Sequence, residues 1–351
     1  MRGGRLSPMA RRRLARFLAN RRGVVSLAAF VALLLAALAA PLLAADRPWA
    51  VRVGDRWWFP ILRPVSEAEL GGVFETPADF RDPYVVRELI LARGGRIWWP
   101  PIPYSYDTVD LELPTPAPAP PSARHWLGTD DLGRDVLART LHGLRISILF
   151  GAALTAVSAI VGVLLGLWQG YAGGWVDLLF QRFMELWGAM PRLYILIIMS
   201  TVIEPGFGSL LAILLLFSWM SLVHVVRAET LRARNFEYVR AARALGVPGW
   251  RIAVRHVLPN SLVAAMTYLP FQLAGSLTML TSLDFLGLGL PPGSPSIGEM
   301  LQQGKANLHA PWLGLTAFTV LALLFMLVVF VGEAVRDALD PRAAAGGRRA
   351  R

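Results

Sequence analysis

The chain has 351 residues, of which 55% are hydrophobic and 17% are charged, and its net charge is +11. Soluble domains carry about 25% charged residues, and several runs in this sequence reach the ~20 apolar residues that cross a bilayer. The composition therefore predicts an all-α polytopic membrane protein. The absence of cysteine excludes disulfides, zinc–thiolate sites and iron–sulfur clusters. Most of the positive charge flanks the apolar runs, which fits the positive-inside rule and argues against nucleic acid as a partner.

The N-terminal arm, residues 1–22, contains eight arginines and no acidic residue, so we expect it to stay in the cytoplasm. Residues 23–45 are almost continuously apolar and are predicted to form the first transmembrane helix. A cleaved signal peptide is the competing interpretation, because small residues occur near the end of this run. The hydrophobic part of a signal peptide usually has only about 7–15 residues, which favours the helix.

Residues 46–142 are predicted to form an extracytoplasmic segment, because the first helix would enter the membrane from the cytoplasm. Residues 114–121 are proline-rich and indicate an extended spacer. The tryptophans of the segment indicate the core of a small outer domain or anchors at the headgroup level, in preference to a docking surface. Its charged residues have no metal-ligand or catalytic spacing.

An acidic cluster precedes the second predicted helix and has two interpretations. Asp130, Asp131 and Asp135 suggest a divalent-cation loop, but their spacing does not fit an EF-hand. The arginines in the same stretch would compete as partners, so a salt-bridged segment without metal is favoured. These arginines are Arg134, Arg139 and Arg145.

Residues 143–341 are predicted to form a core of five further transmembrane helices, followed by a cytoplasmic tail at residues 342–351. Six spans in total would place both chain termini in the cytoplasm. The five core spans are predicted near residues 146–168, 183–203, 209–227, 263–283 and 313–332.

Three local features belong to these spans. Pro191 is expected to kink the third span. Arg182 and Glu185 are three residues apart and are expected to pair on one helix face. Small residues in the second span should permit close helix packing, namely Gly151, Gly162 and Gly166.

Polar residues of the fifth span are predicted to line the pore, because polar side chains within a membrane usually face the bundle interior. Ser276 and Thr278 lie within this span, and Asp284 lies at its outer end. Asp284 could bind a cationic group of a substrate, or it could cap the turn that follows. Capping is the favoured interpretation.

The loop at residues 228–260, between the fourth and fifth spans, contains a predicted short helix. Asn235 is a suitable N-cap, and Glu237 would lie in the first turn. Gly246 fits the position after the helix, so about three turns are expected. Tyr238, Ala241 or Ala242, and Leu245 should share one face, whereas Arg240 and Arg243 should share another. Such a helix is either a surface loop that fixes the orientation or a contact for another protein.

Chemistry that could supply energy is missing from the sequence. No phosphate-binding loop occurs, since Gly304-Lys305 is followed by alanine. The sequence also lacks the hydrolase motifs and the chain of intramembrane acids that a proton-driven carrier would show. The chain is therefore predicted not to be an enzyme, and energy would have to come from a partner.

Three stretches resemble permease subunits of ABC importers. Ala241-Ala242-x-x-x-Gly246, with Leu258-Pro259 following, resembles the EAA loop of these permeases. Residues 127–136, Leu-Gly-Thr-Asp-x-x-Gly-Arg-Asp-Val, are similar to the signature of dipeptide and oligopeptide permeases. The Trp- and Pro-rich outer segment resembles the second permease subunit of Yej-type importers of microcin C and peptides. Arg240 and His256 depart from the general EAA pattern, which has glutamate and isoleucine there.

The resemblance implies that the loop contains a coupling helix that docks in a cleft of an ATPase subunit. The positions that would contact or support this docking are Glu237, Tyr238, Arg240, Ala241, Ala242, Leu245, Gly246, Leu258 and Pro259. It also implies a type I importer fold with six transmembrane helices and an extracytoplasmic insertion after the first.

The function implied is ATP-driven uptake of peptides or peptide-like compounds across the bacterial inner membrane. The implied partners are a second homologous permease subunit, two ATP-binding subunits, an extracytoplasmic substrate-binding protein and the lipid bilayer. ATP and Mg would bind the partner subunits, and this chain would bind no cofactor. Two alternatives remain open: a membrane scaffold that displays residues 46–142 without transporting anything, and a subunit of a peptide exporter.

Overall fold

The computed structural model describes residues 8–204 and 206–339, and the predicted tail at residues 342–351 lies outside them, as do residues 1–7 of the arm. Helices dominate this part of the chain. They are α1 (Pro8–Ala19), α2 (Arg21–Leu38), α3 (Ala40–Leu43), α4 (Val136–Ala172), α5 (Gly174–Gly188), α6 (Arg192–Val202), α7 (Phe207–Ser218), α8 (Met220–Ala233), α9 (Glu237–Ala244), α10 (Gly249–Ile252), α11 (Leu258–Phe285), α12 (Ile297–Ala306) and α13 (Pro311–Leu339).

Five helical stretches of the described residues are long and apolar enough to cross a membrane. They are Arg21–Leu38, Val136–Ala172, Phe207–Ala233, Gly249–Phe285 and Pro311–Leu339. The predicted third span, residues 183–203, falls instead on α5 and α6, which have 15 and 11 residues. Pro191 prevents α5 and α6 from forming one continuous helix, because proline lacks the backbone N–H that a continuing helix needs. It occupies the N-cap of α6. The structure therefore has a break where the sequence predicts a kink.

Helix α4 begins ten residues before the predicted second span. Asp135 caps it, because its Oδ1 accepts a hydrogen bond from the backbone N–H of Ala138 at 2.7 Å. The predicted small face of α4 is confirmed by its contacts with α8. A Cβ atom added at Gly166 would lie 2.9 Å from the carbonyl oxygen of Val223, closer than packed atoms approach. Glycine at this position thus lets the two helix backbones meet.

Residues 46–142 add a small β-sheet to the helical membrane region. Strands β1 (Ala50–Val53), β2 (Arg56–Trp58) and β3 (Arg96–Trp98) form an antiparallel sheet in the order β2-β1-β3. Its own apolar core contains Val51, Val65, Leu70, Phe80, Val85, Leu89 and Ile90. Trp57 and Trp98 stack across the sheet with ring centroids 5.1 Å apart, while both rings stay partly exposed.

The membrane helices pack around α4 and α11. Helix α4 lies against α8 and α11, whereas α13 lies against α2, α11 and α12. One apolar cluster gathers where the C-terminal part of α4 meets α8 and α11. It includes Leu167, Leu222, Val226, Ala233, Val239, Ile252, Val257 and Ala265. Because Val239 and Ile252 come from the loop at residues 228–260, this cluster fixes the loop to the bundle.

Candidate coupling surface and translocation cavity

The predicted short helix of the loop exists, with different limits. Helix α9 has eight residues, just over two turns, because it begins at Glu237 and its N-cap is Phe236. The prediction that Asn235 is the N-cap is wrong: the Asn235 side-chain amide donates to the carbonyl oxygen of Leu231, in the last turn of α8. The Asn235 side chain could bond either to the end of α8 or to the start of α9, and it bonds to α8.

The end of α9 follows the prediction. Gly246 has a backbone φ of 74°, in the left-handed region that glycine adopts without strain. Its N–H donates to the carbonyl oxygen of Arg243 at 3.0 Å, and the N–H of Val247 donates to that of Ala242 at 3.1 Å. These two bonds satisfy carbonyl groups that the helix end would otherwise leave free.

The buried side of α9 consists of small apolar residues. Val239 is fully buried and Ala242 is 9% exposed, and both belong to the cluster that joins the loop to the bundle. Leu258 is half-buried at the edge of the same cluster. Ala242 therefore packs against the rest of this chain, whereas the resemblance implied a position that contacts or supports docking.

Polar contacts also hold α9 against neighbouring helices. The side-chain amide of Asn260 donates to the Tyr238 hydroxyl at 2.6 Å, which links α9 to the first turn of α11. The Arg243 guanidinium lies over the ring of Tyr171, 5.8 Å from its centroid, near the end of α4. Arg234 donates to the carbonyl oxygen of Gly170 at 3.0 Å, so the end of α4 is capped from the loop.

The opposite side of α9 is exposed and combines apolar and basic residues. Leu245 is 83% exposed, and Tyr238 is 45% exposed. The other predicted coupling residues on the surface are Glu237, Arg240, Ala241, Gly246 and Pro259. Sequence reasoning missed Trp250 and Val254, which are 67% and 51% exposed and lie four residues apart. The sequence contained one indication of this exposed surface, namely a tryptophan next to Arg251 in a polar loop. We call the exposed residues Tyr238, Leu245, Trp250 and Val254 with Arg240 and Arg251 the α9 surface.

A cavity of about 210 Å³ opens between α4, α6, α7, α8 and α11. Its polar lining consists of Ser218, Ser221, Tyr268, Gln272 and Ser276, and no charged side chain lines it within the described residues. Ser276 also lies 3.3 Å from the hydroxyl of Thr155, oxygen to oxygen. The Gln272 amide donates to the carbonyl oxygen of Ser218 at 3.3 Å, while its own Oε1 is buried without a hydrogen-bond partner.

The three predicted pore residues do not come together. Ser276 lines the cavity. Thr278 lies on an exposed face of α11, does not line the cavity, and donates to the carbonyl oxygen of Ala274 at 2.9 Å. Asp284 is buried and accepts hydrogen bonds from the backbone N–H of Leu290 and the hydroxyl of Ser296, at 2.9 and 2.5 Å. These bonds match the capping interpretation of Asp284.

Salt bridges organise the acidic cluster that precedes the membrane core of α4. Asp130 Oδ2 lies 2.7 Å from Arg134 Nε and 3.4 Å from Arg139 Nε, and Glu299 Oε2 lies 2.9 Å from Arg139 Nη2. Arg139 has no exposed side-chain surface. The salt-bridged interpretation is confirmed for Arg134 and Arg139, whereas Arg145 forms no such pair within the described residues. Residues 8–204 and 206–339 contain no group of three His, Cys, Asp or Glu residues that could bind a metal.

His125 connects Asp110, in the chain that precedes α4, to Asp135 at the start of α4. Its Nδ1 lies 2.8 Å from Asp135 Oδ2, and its Nε2 lies 3.1 Å from Asp110 Oδ2. Burial opposes protonation, but the hydrogen bonds with Asp135 and Asp110 outweigh it and raise the pKa of His125 above its ordinary 6.5. Burial likewise opposes ionisation of Asp110, and hydrogen bonds from the Glu112 backbone and His125 reverse this and lower its pKa. The geometry thus favours a charged imidazolium between two carboxylates.

The chain is similar to known permeases along almost its whole length. It is 53% identical to the inner membrane ABC transporter permease protein YejE of Escherichia coli K12, over 97% of this chain and 99% of that protein. It is 51% identical to the peptidoglycan transport system permease protein YejE of Agrobacterium fabrum, over 96% of this chain and 94% of that protein. The oligopeptide transport system permease protein OppC of Mycobacterium tuberculosis is 35% identical over 69% of this chain and 83% of its own length.

These relatives confirm the resemblance to ABC importer permeases of the oligopeptide class, and to the Yej-type branch in particular. The family described as binding-protein-dependent transport system inner membrane component matches residues 162–345, which include α9, the cavity helix α11 and the C-terminal end of α4. The chain belongs to this family of inner membrane components of binding-protein-dependent transport systems.

Proposed function

We propose that the chain forms one half of the translocation pathway of an importer for peptides or peptide-like compounds. The observation that carries this proposal is the similarity over nearly the whole chain to permeases whose names include peptidoglycan and oligopeptide transport. The cavity supports it, because a neutral lining with hydroxyl and amide groups suits peptide backbone groups and selects against no particular side-chain charge. Ser276 is the predicted pore residue that we retain as a pathway residue.

The energy is proposed to come from ATP and Mg bound on two partner subunits, with no cofactor on this chain. The α9 surface supports this arrangement, since it presents Leu245, at the end of α9, and Trp250, in α10, to solvent, while both helices are anchored to the bundle by Val239 and Ile252. Exposed apolar groups ringed by charge are typical of protein interfaces. Of the predicted coupling residues, Tyr238, Arg240, Ala241, Leu245 and Gly246 would contact the ATPase cleft. Ala242 and Leu258 would hold the helix in place.

The orientation proposed places both termini and the α9 surface in the cytoplasm and residues 46–142 outside. The distribution of arginine supports it: residues 228–260 contain six arginines, whereas residues 285–312 contain no arginine and one lysine. The remaining partners would be a second homologous permease and an extracytoplasmic binding protein that delivers the substrate.

Reconstitution tests the function directly. The chain with both ATP-binding subunits, the second permease and the binding protein is placed in proteoliposomes, and entry of a labelled peptide is followed. We expect entry that requires both ATP and the binding protein. Entry without the binding protein would favour an exporter running in reverse, and a complex whose ATPase rate ignores the peptide-loaded binding protein would favour the scaffold.

A further inference from the structure

The N-terminal helix α1 carries an exposed surface that the transport function does not use. Residues 8–22 contain six arginines and no acidic residue. Leu14 and Leu18 lie four residues apart, so they share one face of α1, and they are 47% and 59% exposed. The helix packs against α13 and the start of α2. Arg11 and Arg12 are exposed and form no ion pair within the described part of the chain.

The contacts at the start of α2 indicate where α1 lies along the membrane normal. Asn20 separates the two helices: its side chain accepts a hydrogen bond from the N–H of Gly23 at 3.1 Å and so begins α2. A Cβ atom added at Gly23 would collide with the side chain of Ala334, which places this point against α13. Ala334 follows the apolar run of α13 and is flanked by Glu333, with Arg336 and Asp337 next. The C-terminal end of α1 therefore lies near the point where the apolar run of α13 ends.

We propose that α1 lies in the headgroup layer of the cytoplasmic leaflet and binds anionic phospholipid. Leu14 and Leu18 would insert among the first methylenes of the acyl chains, while Arg11 and Arg12 would contact phosphate groups. A chain segment with basic charge only is complementary to an anionic lipid surface. Continuity with a membrane-crossing helix favours lipid over a protein partner, because α1 is held at the membrane boundary without any further subunit. The proposal uses the cytoplasmic orientation proposed above.

The absence of cysteine in this chain makes a direct test practical. The full chain with Leu14→Cys or Leu18→Cys is labelled with bimane in nanodiscs of phosphatidylcholine alone or mixed with phosphatidylglycerol. With the anionic lipid, we expect quenching by doxyl-labelled lipid to rise and quenching by aqueous iodide to fall. Each arginine near an anionic surface contributes about a five-fold preference for the bound state. Arg11→Gln with Arg12→Gln should thus lower the ratio of lipid-facing to water-facing probe by more than ten-fold.

A matched control removes the same charge elsewhere. Arg251→Gln with Arg255→Gln, in the exposed part of the loop, should leave the α1 probe unchanged. A probe that ignores phosphatidylglycerol, or that still responds to it in the Arg11/Arg12 variant, would overturn the proposal. A probe that is protected from both quenchers only when the partner subunits are present would also overturn it, in favour of a protein contact.

Orientation is tested separately in spheroplasts. The Leu14→Cys thiol should resist a membrane-impermeant maleimide until the cells are opened. Labelling of intact spheroplasts would overturn the cytoplasmic orientation and the lipid site with it, whereas protection combined with a negative nanodisc result would overturn the lipid site alone.

Discussion

At the scale of single residues, His125 is a buried ionisable group that is held from both sides in the chain before α4. Both of its ring nitrogens face carboxylates, and its side chain is 3% exposed. Asp135 at the same time caps α4, while the backbone N–H of Asp110 donates to the carbonyl oxygen of Gly133. One imidazole ring therefore joins Asp110 to the start of a membrane helix, and only the charged ring has the two N–H groups needed to donate to both carboxylates.

We predict that this junction is tightest at mildly acidic pH. Because the pKa of His125 is raised when folded, its contribution is complete below 6.5 and is lost as the pH rises through the folded value. Asp110 has the opposite pH dependence because its pKa is lowered in the folded state. Its contribution to stability is present above pH 3.8 and is lost only as the pH falls below that value. Hydrogen exchange of residues 105–135, corrected for the intrinsic effect of pH, should accelerate from pH 6 to pH 9.

The variant His125→Gln should remove this pH dependence and loosen the junction by about 2 kcal/mol, the usual contribution of a hydrogen bond to a charged group. His309→Gln, an exposed histidine in the loop before α13, is the matched control and should exchange like the wild type. A wild-type profile that is flat with pH would refute the role of His125.

Gly246 supports a second prediction at this scale. An added Cβ atom would meet no atom within 4 Å there, so the main obstacle is the positive φ. Gly246→Val should therefore cost about 1–2 kcal/mol of local stability through backbone strain alone and displace Leu245. Gly208, in the first turn of α7, has the same open surroundings without a positive φ, so Gly208→Ala is the control. The measurement is the ATPase rate of the assembled complex with loaded binding protein, which we expect to fall only in the Gly246 variant.

At the scale of elements, helix α9 has two apolar faces where the sequence predicts one. One face packs against the bundle, and the other is exposed. The spacing indicates one apolar face with Tyr238, Ala242 and Leu245, but the structure buries Val239 with Ala242 and exposes the two larger residues. Val239 and Ala242 belong to the same buried cluster as Ile252 and Val257, while Leu245 follows the last helical turn and is exposed. Periodicity identifies an amphipathic helix, but it cannot say which of two apolar stripes the rest of the chain covers.

This division predicts different outcomes for two substitutions. Leu245→Asp should leave the stability of the isolated chain unchanged within about 0.5 kcal/mol, because an exposed side chain loses no packing. It should nevertheless prevent co-purification of the ATP-binding subunits. Val239→Asp buries a charge in the cluster and should destabilise the chain itself. Leu308→Asp, at a leucine 82% exposed in the loop before α13, is the control that should alter neither property. Normal assembly of the Leu245 variant would contradict the interface role of α9.

At the scale of the whole molecule, features that depend on neighbouring residues can be predicted from the sequence, whereas contacts between distant residues cannot. The apolar runs, the glycine face of α4 and the turn at Gly246 are each determined by neighbouring residues, and the structure has all three. The break at Pro191 depends on whether surrounding helices tolerate a kink, which no local pattern contains. The sheet of residues 50–98 depends on β1 pairing with β3 about 45 residues away. The partner of Arg139 is Glu299, 160 residues further along the chain, and no spacing indicates it.

The Arg139–Glu299 pair ties α4 to α12 across this distance, so its loss should be felt by the whole bundle. Glu299→Gln leaves the fully buried Arg139 with less compensating charge, and removing one partner of a buried pair costs about 3 kcal/mol or more. We expect a clear fall in the thermal unfolding midpoint of the full chain in nanodiscs. Glu185→Gln breaks the pair with Arg182, whose two side chains are 73% and 55% exposed, and should cost less than about 1 kcal/mol. Equal midpoints for the two variants would show that Asp130 alone holds Arg139, and that the connection between α4 and α12 is made by their apolar contacts.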